Sequence, residues 1–224
     1  MNTIMKKIQQ YGTSTVFLLL VLFAVAGTSW IRARRFEKIK YLEHLDERAV
    51  TIDNTEYQFR DLAFYLAYQE QSAWEQAKAY DLEHPKKYWN LRGDNGAYIR
   101  SAARDIAMDM MIHDVIFYEM AVEDNVTLTQ EEITYMENQK SDFWSDLEEE
   151  GRIRLGVSED EITQTFEMMA LAQKEQQLFA DKMGVDFREY NINGDSYQEL
   201  LSEHTYEINE KLWERINFGN ITLD

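Results

Sequence analysis

The chain has 224 residues, of which 45% are hydrophobic and 13% aromatic, enough apolar material for a folded core and too much for a disordered chain. It contains no cysteine, so disulfides and thiolate metal sites are excluded. One proline and nine glycines leave long stretches without helix-breaking residues, which favours a mostly helical architecture.

The charge is distributed unevenly along the chain. Residues 1–40 hold seven of the 23 Lys and Arg residues and one of the 41 acidic residues, which leaves a charge of −24 on residues 41–224. A domain this acidic is repelled by phosphate backbones, so we expect no binding to nucleic acid. The charge either keeps the surface solvated or attracts basic clients and cations.

An uncharged segment runs from Thr13 to Ile31 and contains the continuous apolar run Val16–Ala26. Its 19 residues are close to the roughly 20 that a helix needs to span a bilayer. We therefore predict a membrane-spanning or export helix at residues 13–31, an anchor region at residues 1–40 and one domain at residues 41–224.

Two interpretations of this segment remain open. It is either an uncleaved signal anchor, or a signal peptide that is cleaved near Ala26 after the motif Ala24-Val25-Ala26. In the second case the rest of the chain, which we call the body, is secreted. Five Lys and Arg residues follow the segment within residues 32–40 and two precede it. By the positive-inside rule this arrangement would place the body in the cytoplasm.

Short elements open the body. Residues 32–45 are predicted to form a basic helix, residues 49–52 (AVTI) a short strand, and Asp53-Asn54 a turn. Helix resumes near Phe59 and extends to about residue 80, with apolar residues at three- and four-residue spacing and Glu70 on the same face.

Three further long helices are predicted, at residues 98–124, 133–150 and 159–183. The first has so broad an apolar face that it should pack on several sides. Capping boxes precede the other two, with Thr129 paired to Glu132 and Ser158 paired to Glu161. Gly184 is predicted to end the last of them.

The tail contains a predicted short helix at residues 197–202, a second β-type run at residues 205–208 (TYEI) and a further short apolar stretch at residues 212–216. The AVTI and TYEI runs lie near opposite ends of the domain, so we expect them to pair. The predicted fold is therefore mostly α: an N-terminal transmembrane or signal helix, then a multi-helix domain closed by a small two-stranded β pairing of its two ends.

The sequence offers no catalytic or metal-binding constellation. The four histidines are far apart and lack the spacing of zinc ligands, and glycine-rich phosphate loops are missing. His113 lies in the middle of the apolar helix 98–124 and is predicted to be an interior histidine with satisfied hydrogen bonds. We therefore expect no enzyme activity, no catalytic residue, no cofactor and no metal.

The order and spacing of several segments match a known family. Residues 49–62 with Phe64-Tyr65-Leu66 form a strand–turn–helix opening, residues 106–133 a long helix followed by a helix start, and residues 155–162 another helix start. Together, over about residues 48–183, these segments resemble the SurA/PrsA type of extracytoplasmic foldase. Asp53-Asn54 stands where that family usually has Asn-Gly.

The resemblance implies a helical chaperone-like module with its body outside the cytoplasm. It implies no isomerase site, because the stretch after Met183 is too short for the parvulin domain that carries proline isomerase activity. On this basis we expect a single-pass membrane protein that binds unfolded or extended segments of exported proteins in an apolar cradle between long helices.

Methionine and large aromatic residues are abundant on the predicted helices, with ten Met and five Trp in the chain, and such residues suit adaptable apolar binding surfaces. The candidate peptide-binding side chains are Phe64, Tyr65, Tyr68, Trp74, Tyr80, Tyr88, Trp89 and Met169. Those near Pro85, from Trp74 to Trp89, are the best candidates for an exposed apolar surface. The simpler interpretation is that most of these residues belong to the core.

Two other functions remain open. The protein could be a non-enzymatic interaction subunit of a cell-envelope complex with one dedicated partner, or a proline isomerase without a recognisable isomerase domain. The sequence does not decide the oligomeric state.

Overall fold

The computed structural model describes residues 37–94 and 96–223, which are mostly helical and include one small β-sheet. Residues Ile39–Asp224 make up a unit of their own, and the core residues named below all belong to it. The predicted membrane segment, residues 13–31, lies outside the described residues. Between residues 37 and 223, Asn95 excepted, no helix combines the length and apolar character needed to cross a bilayer.

The predicted long helices are present. The α-helices are α1 (Ala63–Tyr80), α2 (Ile99–Glu123), α3 (Gln130–Asp146), α4 (Glu149–Leu155), α5 (Glu159–Met183), α6 (Asp195–Leu201) and α7 (Glu210–Trp213). Short 3-10 helices cover Tyr41–His44, Phe59–Leu62, Pro85–Asn90 and Phe187–Tyr190.

Helix boundaries follow the capping chemistry. The Thr129 and Ser158 side chains accept hydrogen bonds from the backbone N–H groups of Glu132 and Glu161, and these glutamates bond back to the cap residues. Both predicted capping boxes are therefore confirmed. Gly184 follows α5 in the left-handed conformation, with φ of 71°, so its prediction as the helix terminator is also confirmed.

The predicted pairing of the two β-type runs is confirmed, but the sheet has three strands. Strands β1 (Arg48–Ile52), β2 (Thr55–Gln58) and β3 (Tyr206–Ile208) lie in the order β2-β1-β3 with antiparallel neighbours. In the register between β1 and β3, Val50 lies opposite Ile208. The sequence prediction lacks β2, because its residues TEYQ are polar, mostly exposed and without apolar alternation.

The turn between β1 and β2 also holds β3. Asp53 and Asn54 have φ of 44° and 74°, as a two-residue hairpin turn requires. Asp53 Oδ1 accepts hydrogen bonds from the Thr205 N–H (2.8 Å) and hydroxyl (3.1 Å), and its Oδ2 contacts His204 Nδ1. Burial raises the pKa of Asp53, but the bonds from Thr205 and His204 outweigh it and hold that pKa below its usual value.

The long helices pack around one main core. Helices α2 and α5 lie against each other over much of their length, α1 packs on α2, and α3 packs on α5. The broad apolar face predicted for α2 is confirmed, because residues such as Met108, Met111 and Ile116 are buried between these neighbours. A second cluster joins α2 and α5 to the segment that follows them, and it contains Phe117, Ala172, Ala180, Tyr190 and Tyr197.

A buried carboxylate on α1 anchors the C-terminal segment. Glu70 is fully buried, and its two oxygens accept hydrogen bonds from the N–H groups of Gly219 (2.5 Å), Ile221 (3.0 Å) and Thr222 (2.6 Å). The Thr222 hydroxyl donates a fourth bond at 2.8 Å. These bonds satisfy backbone donors that would otherwise be buried without partners, so Glu70 fixes the path of the last residues over α1.

Two predicted helices differ from the structure. In the described part of residues 32–45, only the 3-10 turn Tyr41–His44 is helical, because Ile39 instead forms a β-bridge with Ile216 and exchanges backbone hydrogen bonds with the segment around it. The helix predicted at 133–150 begins earlier and ends at Asp146, since Leu147 is buried in an extended conformation and redirects the chain into α4.

Candidate functional site

A groove opens between α3 and α5 and extends down to α1 and α2. It encloses about 1170 Å³. Its apolar lining comes from all four helices, from the loop before α3 and from the 3-10 helix after α5: Tyr68, Met110, Leu128, Tyr135, Met136, Phe166, Met169, Ala170, Leu178 and Phe187. We refer to this feature as the α3–α5 groove.

The groove exists because α3 touches the rest of the domain through few side chains. Met136 and Phe143 are the buried residues of α3, and both point toward α5 and the core. A second, smaller groove of about 600 Å³ lies along the other flank of α3, where Ile133 and Lys140 face Leu171. Helix α3 is therefore a ridge with a depression on each side.

An aromatic cluster supports the groove from below. Phe64 on α1 lies edge-on to both Phe143 and Phe166, with ring centroids 4.9 Å apart in each pair. The Phe64 ring also stacks on Tyr68, at 5.8 Å, and Tyr68 itself is 45% exposed in the groove. Edge-to-face packing of this kind holds α1, α3 and α5 at fixed separations.

The structure divides the candidate peptide-binding residues. Tyr68 and Met169 line the α3–α5 groove. Phe64 and Tyr65 are buried in the core, at 4% and 0% exposure, so they support the groove and do not present a surface.

The four aromatic candidates near Pro85 lie elsewhere. Tyr80 is 64% exposed at the end of α1, and its ring lies 5.7 Å from that of Tyr88. Trp74 lines a separate cavity of about 560 Å³ beside Leu147 and Thr222. These three residues are outside the α3–α5 groove.

The prediction that Trp89 belongs to an exposed surface is wrong. Trp89 is 2% exposed and packs edge-on against Phe218, with ring centroids 5.8 Å apart. Gly219 approaches the same indole so closely that an added Cβ would lie 3.3 Å from it. The C-terminal segment held by Glu70 covers Trp89, a long-range contact that helix periodicity does not reveal.

Several groove residues are missing from the sequence prediction. Met136, Phe166 and Leu178 follow ordinary helical spacing, which predicts that a side chain faces inward but not that two helices leave a gap there. Tyr135 is 63% exposed on the rim. Amide side chains complete the walls, with Gln139 on α3 and Gln173, Gln176 and Gln177 on α5.

A charged contact lies in the groove lining. Lys174 on α5 donates to Glu132 Oε2 at 2.7 Å and to the Thr127 carbonyl at 2.9 Å, which ties α5 to the start of α3. The bond from Lys174, together with those at the Thr129 cap, lowers the pKa of Glu132 to about 2. Glu132 is therefore ionised throughout the physiological range.

A hydrogen-bonded chain lies at the floor. Tyr65 donates to Asp114 Oδ2 at 3.0 Å, Asp114 Oδ1 lies 2.9 Å from His113 Nδ1, and His113 Nε2 lies 2.9 Å from the Tyr190 carbonyl oxygen. Burial and the Asp114 charge raise the pKa of Tyr65 well above its ordinary value, so its hydroxyl remains a donor. His113 is 8% exposed and has a hydrogen-bond partner beside each ring nitrogen, so its prediction as an interior histidine is confirmed.

This arrangement suits non-covalent binding. The groove offers flexible methionines, aromatic edges and several side-chain amides, a combination that can contact both the side chains and the backbone of an extended polypeptide. Within residues 37–94 and 96–223, no group of three His, Asp or Glu side chains is placed to hold a metal ion.

Comparison with known proteins finds no family model, no curated protein and no solved structure that matches the chain. The resemblance to SurA/PrsA foldases therefore rests on the sequence segments quoted above.

Proposed function

We propose that this protein is a membrane-anchored, extracytoplasmic chaperone-like protein that binds unfolded or extended segments of exported proteins in the α3–α5 groove. The observation that carries the proposal is the groove itself, about 1170 Å³ in volume and lined by Met, Leu, Phe and Tyr side chains. Its size is above the usual range of small-molecule sites, which is roughly 300–1,000 Å³, and its amides match the needs of a peptide backbone.

Binding without a chemical step fits this lining. Methionine side chains adapt to different partners, because they have several rotatable bonds and a polarisable sulfur. Met110, Met136 and Met169 supply three such contacts from three different helices. A groove of this kind would tolerate many client sequences and hold each of them weakly and transiently.

The first test blocks the groove in the full chain, reconstituted in lipid nanodiscs. Ala170 lies in the lining, so Ala170→Trp would fill the space that a client occupies. Ala79→Trp adds the same indole at an exposed position of α1 and serves as the control. We expect the chain and the control to suppress aggregation of a chemically unfolded protein, and Ala170→Trp to lose most of that effect.

The second test locates the bound client. The chain has no cysteine, so Tyr135→Cys and Ile153→Cys can each carry a single benzophenone crosslinker. These positions are 63% and 65% exposed, but only Tyr135 lies in the α3–α5 groove lining. Clients should crosslink at position 135 and hardly at position 153; equal yields at both would contradict binding in the groove.

The same crosslinks in native membranes separate this proposal from that of a dedicated interaction subunit. Many weakly populated products support a chaperone-like role, whereas one stoichiometric product supports a single fixed partner. Protease treatment of intact cells tests the orientation: an extracytoplasmic body should be digested, and a protected body would refute the proposed location.

A further inference from the structure

The α3–α5 groove carries more negative than positive charge. Asp114, Glu131 and Glu132 are among its lining residues, and Lys174 is the one Lys or Arg side chain among them. Lys174 is already bonded to Glu132, and these two charges offset each other. Among the described lining residues, the carboxylates of Asp114, at the floor, and Glu131, at the rim, have no Lys or Arg partner.

Two hydrogen bonds hold the carboxylate of Asp114 in place at the groove floor. Asp114 is tied from behind by the Tyr65 hydroxyl and His113 Nδ1, one on each oxygen. Its side chain keeps 18% of its surface exposed, and Asp114 also lines the groove. A carboxylate oxygen has two lone pairs, so each oxygen can accept another hydrogen bond from the groove side.

Apolar side chains share the groove with this carboxylate. Met110 precedes it by one helical turn on α2, and Tyr68 on α1 and Phe166 and Met169 on α5 line the same groove. A cation carried on an aliphatic stem matches such a site, because the stem packs on the apolar wall while the charged end reaches the carboxylate.

We propose that the groove selects extended polypeptide segments in which a Lys or Arg residue stands between apolar residues; this inference rests on the proposed function. Asp114 binds the cationic end, Glu131 adds attraction at the rim, and the apolar lining holds the flanking residues. The charge of −24 on residues 41–224 favours the encounter with cationic segments over anionic ones.

The test uses three fluorescent nonapeptides with the same apolar residues and a central Arg, Gln or Glu, with the full chain in nanodiscs of neutral lipid. Fluorescence anisotropy measures the Kd of each peptide, and empty nanodiscs give the background. We expect the Arg peptide to bind about tenfold more tightly than the Gln peptide at low salt, and the Glu peptide most weakly. The preference should shrink as salt increases.

Two substitutions identify the carboxylates. Asp114→Asn should reduce the Arg:Gln preference to about twofold, the share left to Glu131, while the Gln peptide still binds. Glu131→Gln, at an exposed position, should reduce the preference about twofold without any change at the core. Glu137→Gln removes a charge from α3 on the side of the smaller groove and should leave the preference unchanged.

The outcomes separate this inference from the proposed function. Equal Kd values for the Arg and Gln peptides would overturn the cation preference and leave the groove as a general peptide site. An undiminished preference in Asp114→Asn and Glu131→Gln would also overturn it. If no peptide binds, or if Ala170→Trp does not weaken binding, the proposed function itself fails.

Discussion

Replacing Glu70 by glutamine tests how the C-terminal segment is held. In the native chain, Oε1 accepts from the N–H groups of Gly219 and Ile221, and Oε2 accepts from the N–H and hydroxyl of Thr222. Glutamine has nearly the same shape, but its amide nitrogen cannot accept a hydrogen bond. Whichever way the amide turns, at least one backbone N–H faces another donor.

The expected loss of stability follows from the count of buried bonds. One buried N–H without an acceptor costs about 1–3 kcal/mol, and each bond that loses a charged acceptor weakens by about 1 kcal/mol. In the better orientation the carbonyl oxygen keeps two of the bonds, so Glu70→Gln should lower the free energy of unfolding by about 3–5 kcal/mol. Because domains are stable by only about 5–15 kcal/mol, this is a large effect for one atom.

Two control variants give smaller expected losses for comparison. Thr222→Val removes only the hydroxyl bond and should cost about 1 kcal/mol. Glu75→Gln lies on the same helix at a solvent-exposed position, where the carboxylate contacts Lys78. An exposed ion pair of this kind contributes at most about 0.5 kcal/mol.

The assay is urea unfolding of residues 39–224 combined with amide hydrogen exchange. The urea midpoint should fall in the order Glu75→Gln, Thr222→Val, Glu70→Gln. In Glu70→Gln the amides of Gly219, Ile221 and Thr222 should exchange faster than in the wild type, because the C-terminal segment opens locally. A midpoint equal to that of Glu75→Gln, with unchanged exchange at Ile221, would refute this account of the buried carboxylate.

Three other predictions concern local structure. Thr129→Ala removes the cap of α3 and should cost about 1 kcal/mol of unfolding free energy, measured by urea titration, and leave the cap at Ser158 intact. Asp53→Asn should lower the free energy of unfolding by about 1 kcal/mol at pH 7, because it weakens the contacts that hold β3. Since the folded state lowers the pKa of Asp53, the difference in stability between wild type and variant should fade as the pH drops below that pKa, which thermal melts across pH would measure. Gly184→Ala places a side chain at φ of 71° with open space around it, so the cost is backbone strain of about 1–2 kcal/mol, measured by urea titration. A change below about 0.3 kcal/mol, a fifth of the expected value, would contradict the role of the left-handed cap.

Local chemistry determined most of the helical architecture. Capping boxes, the left-handed glycine at position 184 and three- and four-residue apolar spacing depend on neighbours within a few residues, so the sequence predicts α1, α2 and α5 closely. The pairing of β1 with β3 is also predicted, because two short β-type runs in a helical domain need partners. The polar strand β2 has no such pattern, and its position depends on the turn at Asp53.

The site depended on contacts that are distant in sequence. Periodicity predicts that Phe64, Tyr68 and Met169 lie on inward helix faces, but the distance between α3 and α5 decides which of them reach a groove. Trp89 is buried because Glu70 draws the C-terminal segment across it. Composition and spacing in the sequence therefore determined the helices and their apolar faces. Only the tertiary structure decided where those faces meet and where they leave an opening. The meeting points depend on long-range packing and on one buried carboxylate, Glu70.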